Sequence, residues 1–228
     1  MIELKNVVKT YNEKTAPVQA LTGVNLTIEK AELIALMGSS GSGKTTLLNI
    51  LAAIDKPTSG EALIDGADIV AMTDAELTQF RRKKIGIVFQ FFNLMPTLSV
   101  YENIALPHLL LKESKIDFDK RVKELLELVG LSHRATHKPF ELSGGEMQRT
   151  AIARALMNNP EFIIADEPTG NLDSKNAEQI LALIRMLATE QRKTFIIATH
   201  SSDVAAISDR VVRMLDGKVV EDELVKTK

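Results

Sequence analysis

The segment Gly38-Ser-Ser-Gly-Ser-Gly-Lys-Thr45 puts glycines, a lysine and a hydroxyl at the spacing G-x-x-x-x-G-K-[ST]. It lies between an apolar run ending at Met37 and a helical pattern over residues 46–53, the strand–loop–helix setting this spacing requires. Glycines let the backbone turn so that successive N–H groups face one point, and the helix behind adds the positive end of its dipole. Such a loop binds phosphate. Lys44 is placed to reach the β- and γ-phosphates of ATP, and the Thr45 hydroxyl to ligate Mg²⁺. Gly38, Ser39, Ser40, Gly41, Ser42, Gly43, Lys44, Thr45 and Thr46 are therefore the candidate cradle. The competing reading, a Gly/Ser-rich surface loop, gives no reason for the strand before it and the helix after it.

Two further groups carry chemistry. Phe162-Ile-Ile-Ala-Asp166-Glu167 is an apolar run ending in two acids, and carboxylates at the C-terminal edge of such a strand sit where ligands bind. Asp166 suits the Mg²⁺ shell and Glu167 a general base that orients water, because phosphoryl transfer needs placement and charge neutralisation above all. Standing alone, the acid pair would read as a helix N-terminus; the phosphate loop decides for the site. Leu142-Ser-Gly-Gly-Glu-Met-Gln-Arg149 opens a helix with a serine and two glycines. Spacing by itself leaves this open between a capped helix start and an anion site made of exposed N–H groups.

These groups need a rigid frame. Continuous apolar runs at residues 33–37, 85–89, 162–165, 194–198 and 210–215 suit strands buried on both faces, hence a mostly parallel sheet between helices. Residues 2–8 and 18–28 alternate and predict an antiparallel β edge. Thr73-x-x-Glu76, Ser99-x-x-Glu102 and Ser143-x-x-Glu146 have the spacing of capping boxes. Between residues 91 and 157 the apolar spacing becomes helical, as in Val122, Leu125, Leu126, Leu128 and Val129, closed by Gly130. The expected architecture is an α/β P-loop core with an N-terminal antiparallel β subdomain over residues 1–90 and 158–228, and an inserted α-helical subdomain over 91–157. The acidic tail from Glu221 is expected to be solvated. Phe91, Phe92, Leu94 and Met95, just past Gln90, suit either a docking groove for a partner helix or packing at the subdomain boundary.

Composition excludes several classes. The 228 residues are 45% hydrophobic and 25% charged with a net charge of −2, which offers no basic surface to nucleic acid. The absence of cysteine excludes disulfides and thiolate metal sites and agrees with a reducing compartment. Neither a secretion signal nor an apolar run of membrane-spanning length is expected.

At Leu142-Ser-Gly-Gly-Glu146 the chain resembles the nucleotide-binding subunit of ABC transporters, over essentially its whole length. The resemblance implies a head-to-tail dimer of two copies in which Ser143, Gly144 and Gly145 reach the γ-phosphate of ATP held by the other copy's P-loop. It further implies that Gln90 senses Mg²⁺ and the γ-phosphate and couples to a membrane partner. Asn171-Leu-Asp173 resembles the loop at the dimer interface, and His200 the switch histidine that touches the γ-phosphate. Tyr11 stands where the family stacks an aromatic ring on adenine, its other reading being an ordinary edge aromatic. His108, His133 and His137 match nothing and are expected at the surface. Ala31 replaces a frequent glycine and Glu146 a common glutamine, neither disturbing a phosphate ligand on this reading.

Residues 89–104 and Asp166-Glu-Pro-Thr-Gly-Asn-Leu-Asp173 look most like the LolD/MacB branch. That branch implies an integral membrane permease subunit as partner, no nucleic acid, and a cytoplasmic location, peripheral on the inner face of the cell membrane. An FtsE-like ATPase that drives a cell-wall hydrolase-regulating complex without transport shares every motif. Soluble ABC ATPases of DNA repair or translation carry two cassettes or long coiled coils, which do not fit here.

Overall fold

The structure is a computed structural model that describes residues 1–12, 15–111 and 117–225. The chain begins with β1 (Ile2–Tyr11) and β2 (Val18–Ile28), paired antiparallel with Ile2 opposite Ile28. β3 (Leu33–Met37) then enters the main sheet, and α1 (Lys44–Leu51) follows it across the glycine-rich loop. β4 (Ser59–Ile64) and β5 (Ala67–Asp68) return to the first sheet, whose order is β2-β1-β4-β5. This β4–β5 hairpin was not anticipated, although its turn, Asp65-Gly66, has φ +52° and +76°, the left-handed pair of a type I′ hairpin.

α2 (Asp74–Lys84) leads into β6 (Ile85–Val88), and the helical segment follows as α3 (Val100–Leu109), α4 (Phe118–Leu128) and α5 (Gly144–Leu156). All three expected capping boxes form, with the Thr73, Ser99 and Ser143 hydroxyls accepting from the backbone N–H of Glu76, Glu102 and Glu146. Gly130 lies past the end of α4 at φ +69°. The chain finishes with β7 (Phe162–Asp166), α6 (Ser174–Thr189), β8 (Thr194–Thr199), α7 (Ser202–Ile207), β9 (Arg210–Leu215) and β10 (Lys218–Leu224).

The main sheet has the order β10-β9-β3-β8-β7-β6, parallel throughout except for β10. Its strands read as unbroken apolar runs because both faces are covered. Leu33 and Ala35 of β3 face one core with Ile163, Ala165, Phe195 and Ile197, together with helices α3 to α6. Ile34 and Leu36 face the other, with Ile164, Ile196, α1 and the antiparallel sheet. The helical segment thus shares its apolar core with the sheet. Residues 221–224 of the acidic tail are exposed, as expected, but also form the outer part of β10, laddered to β9, while 226–228 lie outside the described residues. The Asp216-Gly217 turn before it, at φ +48° and +75°, is a second hairpin signal of the same kind.

α5 and α6 approach closely at their N-terminal ends. A methyl group added at Gly145 would lie 2.1 Å from Asn176 Oδ1 and 3.1 Å from Asn176 Cβ, so a larger residue fits there only if the Asn176 side chain moves. Gly145→Ala is expected to destabilise the fold by about 1–3 kcal/mol, as forced overpacking does. Asn176→Ala should recover most of that loss, since only the Cβ contact remains. Urea unfolding of both single variants and the double variant checks this; additive losses would show that the two positions do not meet.

Candidate functional site

Four parallel strands bring their C-terminal ends to one edge of the sheet, where ligands bind in open α/β folds. β3 delivers the glycine-rich loop, β6 delivers Gln90, β7 delivers Asp166 and Glu167, and β8 delivers His200. A cavity of about 790 Å³ at this edge is lined by Tyr11, Gly38, Ser39, Ser40, Gly41, Gly43, Lys44, Thr45, Thr46, Gln90, Asp166, Glu167 and His200. Val18, Gln19 and Ala20 at the start of β2 line it too, without any sequence signal that could have marked them.

The loop is shaped for an anion. Gly43 has φ +100°, and a Cβ there would lie 2.7 Å from the Ala20 carbonyl, so no other residue fits. Lys44 Nζ donates to the carbonyls of Gly38 at 2.6 Å and Ser39 at 2.9 Å, which parks the cation across the loop. Of the α-helices among the described residues, α1 alone has no side-chain hydrogen bond at its N-cap and no acid in its first turn. Free N–H groups and the positive dipole end at this helix start suit a phosphate. Ser42 departs from the expected lining: it is buried beneath the loop, with its Oγ unpartnered.

Glu167 is the most constrained residue of the site. Its backbone is left-handed at φ +44°, a strained state for a non-glycine residue. Its N–H donates to the Ala198 carbonyl at 2.9 Å. One carboxylate oxygen lies 2.7 Å from His200 Nδ1, and the other accepts from the Thr199 hydroxyl at 3.0 Å. Asp166 is half-buried; burial first and the charge of Glu167 second raise its pKa, against the pull of Lys44. No three His, Cys, Asp or Glu side chains among the described residues gather to cage a metal. A Mg²⁺ shared with phosphate oxygens and water needs only one or two carboxylates, which this donor set supplies.

Tyr11 is fixed by two neighbours: its hydroxyl donates to Asp55 at 3.2 Å, and Lys9 Nζ lies 5.0 Å from its ring centroid. Ser143, Gly144, Gly145 and Asp173 lie outside the cavity of their own chain. The Ser143 hydroxyl donates to Glu146 at 2.9 Å, and Glu146 pairs with Arg134 at 3.0 Å. Glu146 therefore engages the serine, as the capping-box spacing predicts. Asp173 caps α6, accepting from Asn176 N–H at 2.8 Å.

Contacts that the sequence did not reveal join these loops. Asn171 donates to the Gln90 carbonyl at 2.9 Å. Arg154 of α5 donates to the carbonyls of Phe92 at 2.8 Å and Asn93 at 2.6 Å, two consecutive residues with positive φ. His108 and His137 are not simple surface residues: both are half-buried, His108 stacked on Phe118 at 5.5 Å and His137 set 3.1 Å from Arg134.

Comparison with known proteins matches this arrangement. The family model described as ABC transporter covers residues 21–170. The lipoprotein-releasing system ATP-binding protein LolD of Geobacter metallireducens is 44% identical over 222 residues, covering 97% of this chain and 99% of that protein. The macrolide export ATP-binding/permease protein MacB of Rhodopirellula baltica is 48% identical over 224 residues, covering 97% of this chain and 33% of that longer protein. The dimeric structure of a post-hydrolysis ATP-binding cassette bound to ADP and Pi superposes with a TM-score of 0.90 at 45% identity, covering 100% of both chains. Because the match takes in the phosphate loop, the acid pair and the helices between them, this chain belongs to the ABC transporter family, as an ATP-binding subunit that hydrolyses ATP with Mg²⁺.

Proposed function

We propose that two copies close head to tail over two ATP molecules and drive a membrane permease subunit of the lipoprotein-release, macrolide or peptide export kind. The observation that carries this reading is the incompleteness of the cavity. It holds a phosphate loop, an acid pair, Gln90 and His200, but no part of the 143–145 segment. A second copy supplies that segment, with Asp173 beside it at the interface. Residues 1–90 and 158–228 serve as the nucleotide core, and 91–157 as the segment that carries α5, the signature helix opened by Ser143, Gly144 and Gly145.

In this reading the loop N–H groups and Lys44 bind the β- and γ-phosphates, and Tyr11 stacks on adenine. Thr45, Gln90 and Asp166 would hold Mg²⁺, which when bound would neutralise phosphate charge. Glu167 takes the proton of the attacking water, and His200 turns from Glu167 towards the γ-phosphate.

The membrane partner is supported by the relatives' names and by an apolar groove. About 290 Å³ in volume, it runs between β6 and α3 and is lined by Ile85, Ile87, Phe89, Leu106, Pro107 and Leu110. Beside it in the chain, Phe91 is 71% exposed and Met95 46%, whereas Phe92 and Leu94 are half-buried. The apolar cluster past Gln90 thus divides, and Phe91 faces a partner. No described helix is long and apolar enough to cross a membrane. The chain then sits on the cytoplasmic face of the cell membrane through its partner.

Glu167→Gln should lower steady-state hydrolysis ~10²–10⁴-fold while ATP binding persists. The variant should run as an ATP-dependent dimer on gel filtration; a monomer that binds ATP fully would count against closure. Phe91→Asp should release the protein from membranes in cells while the purified subunit keeps its ATPase rate. Retained membrane association would remove Phe91 from docking.

A further inference from the structure

Glu167 has one partner placed to leave and one placed to stay. His200 lies on the connection beyond β8 and its side chain is 77% exposed. Thr199 is the last residue of β8, fully buried and paired in the ladder with Met37 of β3. Its oxygen accepts from the Ser201 N–H at 3.0 Å while its hydroxyl donates to Glu167 Oε2 at 3.0 Å. A hydroxyl carries a single hydrogen. With Ser201 donating into the oxygen, that hydrogen is directed at the carboxylate. The β-branched side chain has restricted χ1 freedom in a strand, so the oxygen is held in place.

We propose that Thr199 is a positioning residue for ATP hydrolysis, fixing Oε2 of Glu167 so that Oε1 meets the attacking water once His200 has turned away. In that step the water oxygen bonds to the γ-phosphorus as the bond to the β-phosphate bridging oxygen breaks. The water proton passes to Glu167, and ADP and phosphate leave. The proposal rests on Glu167 being the base. Without Thr199 the carboxylate would have no fixed partner at the moment His200 departs, and the strained backbone at φ +44° would alone direct it.

The test compares full-length Thr199→Val and Thr199→Ser. A hydrogen bond to a charged group is worth about 1.5–3 kcal/mol, so kcat of Thr199→Val should fall about 10–100-fold. KM for ATP should stay within about twofold, because the phosphate cradle is untouched. Thr199→Ser should restore kcat to within about threefold of wild type. In a Glu167→Gln background, Thr199→Val should change nothing further, since the two residues act as a unit. Should Thr199→Val fold poorly, Thr199→Ala against Thr199→Ser gives the same comparison.

Wild-type kcat in Thr199→Val, beside an inactive Glu167→Gln, overturns the positioning role alone. Equal losses in Thr199→Val and Thr199→Ser, or a loss confined to KM, overturn it in favour of a packing role. Wild-type turnover in Glu167→Gln removes the base assignment and this proposal with it.

Discussion

An uncapped helix start governs this molecule. Every other described α-helix satisfies part of its N-terminal N–H set with the side chain of its N-cap residue, while α1, with Gly43 at its N-cap, has none. Donors left unpaired beside a confined lysine favour negative charge at this point, which a phosphate group supplies. The rest of the architecture follows from presenting that helix start to solvent at a fixed place. β3 must be central and rigid to carry the loop, and its two flanking strands, β8 and β9, clamp it from both sides. The helices on one face and the antiparallel sheet on the other keep water from the strands but leave their C-terminal ends open.

The acids are set against this positive loop. Asp166 ends β7 and Glu167 follows it into a left-handed turn, so adjacent carboxylates point to different partners. Asp166 takes the neighbourhood of Lys44, and Glu167 takes that of β8 and its loop. The loops that carry the remaining groups are tied together by main-chain carbonyls: Asn171 holds Gln90, and Arg154 holds Phe92 and Asn93. The helix that starts at the signature serine therefore grips the segment that lies beside the apolar groove.

Much of this was legible in the residues. The phosphate loop, the acid pair and the three capping boxes are local patterns, each set by chemistry within a few residues, and they appear where the sequence puts them. The central strands were legible because two-sided burial leaves an unbroken apolar run. The β4–β5 hairpin and β10 were missed even though both have an Asp-Gly turn, because Glu61 and Glu221 to Glu223 make their strands read as solvated. Thr199, Asn176 and Arg154 were out of reach for another reason. Each acts through a contact with residues distant in the chain or through the direction of one hydroxyl, and no spacing encodes either. Burial of Ser42 likewise depends on side-chain direction, which a motif does not specify.

The central claim is that each ATP is held by the phosphate loop of one copy and the signature helix of the other. It is tested by forming a mixed dimer of Lys44→Ala and Ser143→Arg subunits, with Glu167→Gln added to both so that bound nucleotide persists. One of its two sites then combines both defects, and the other joins an intact loop to an intact signature, because a two-fold dimer builds each site from both chains. Trapped nucleotide is counted after rapid desalting. The account predicts about one ATP in the mixed dimer, none in either homodimer, and about two in the Glu167→Gln control. No trapped ATP in a verified mixed dimer, beside a fully loaded control, would contradict it.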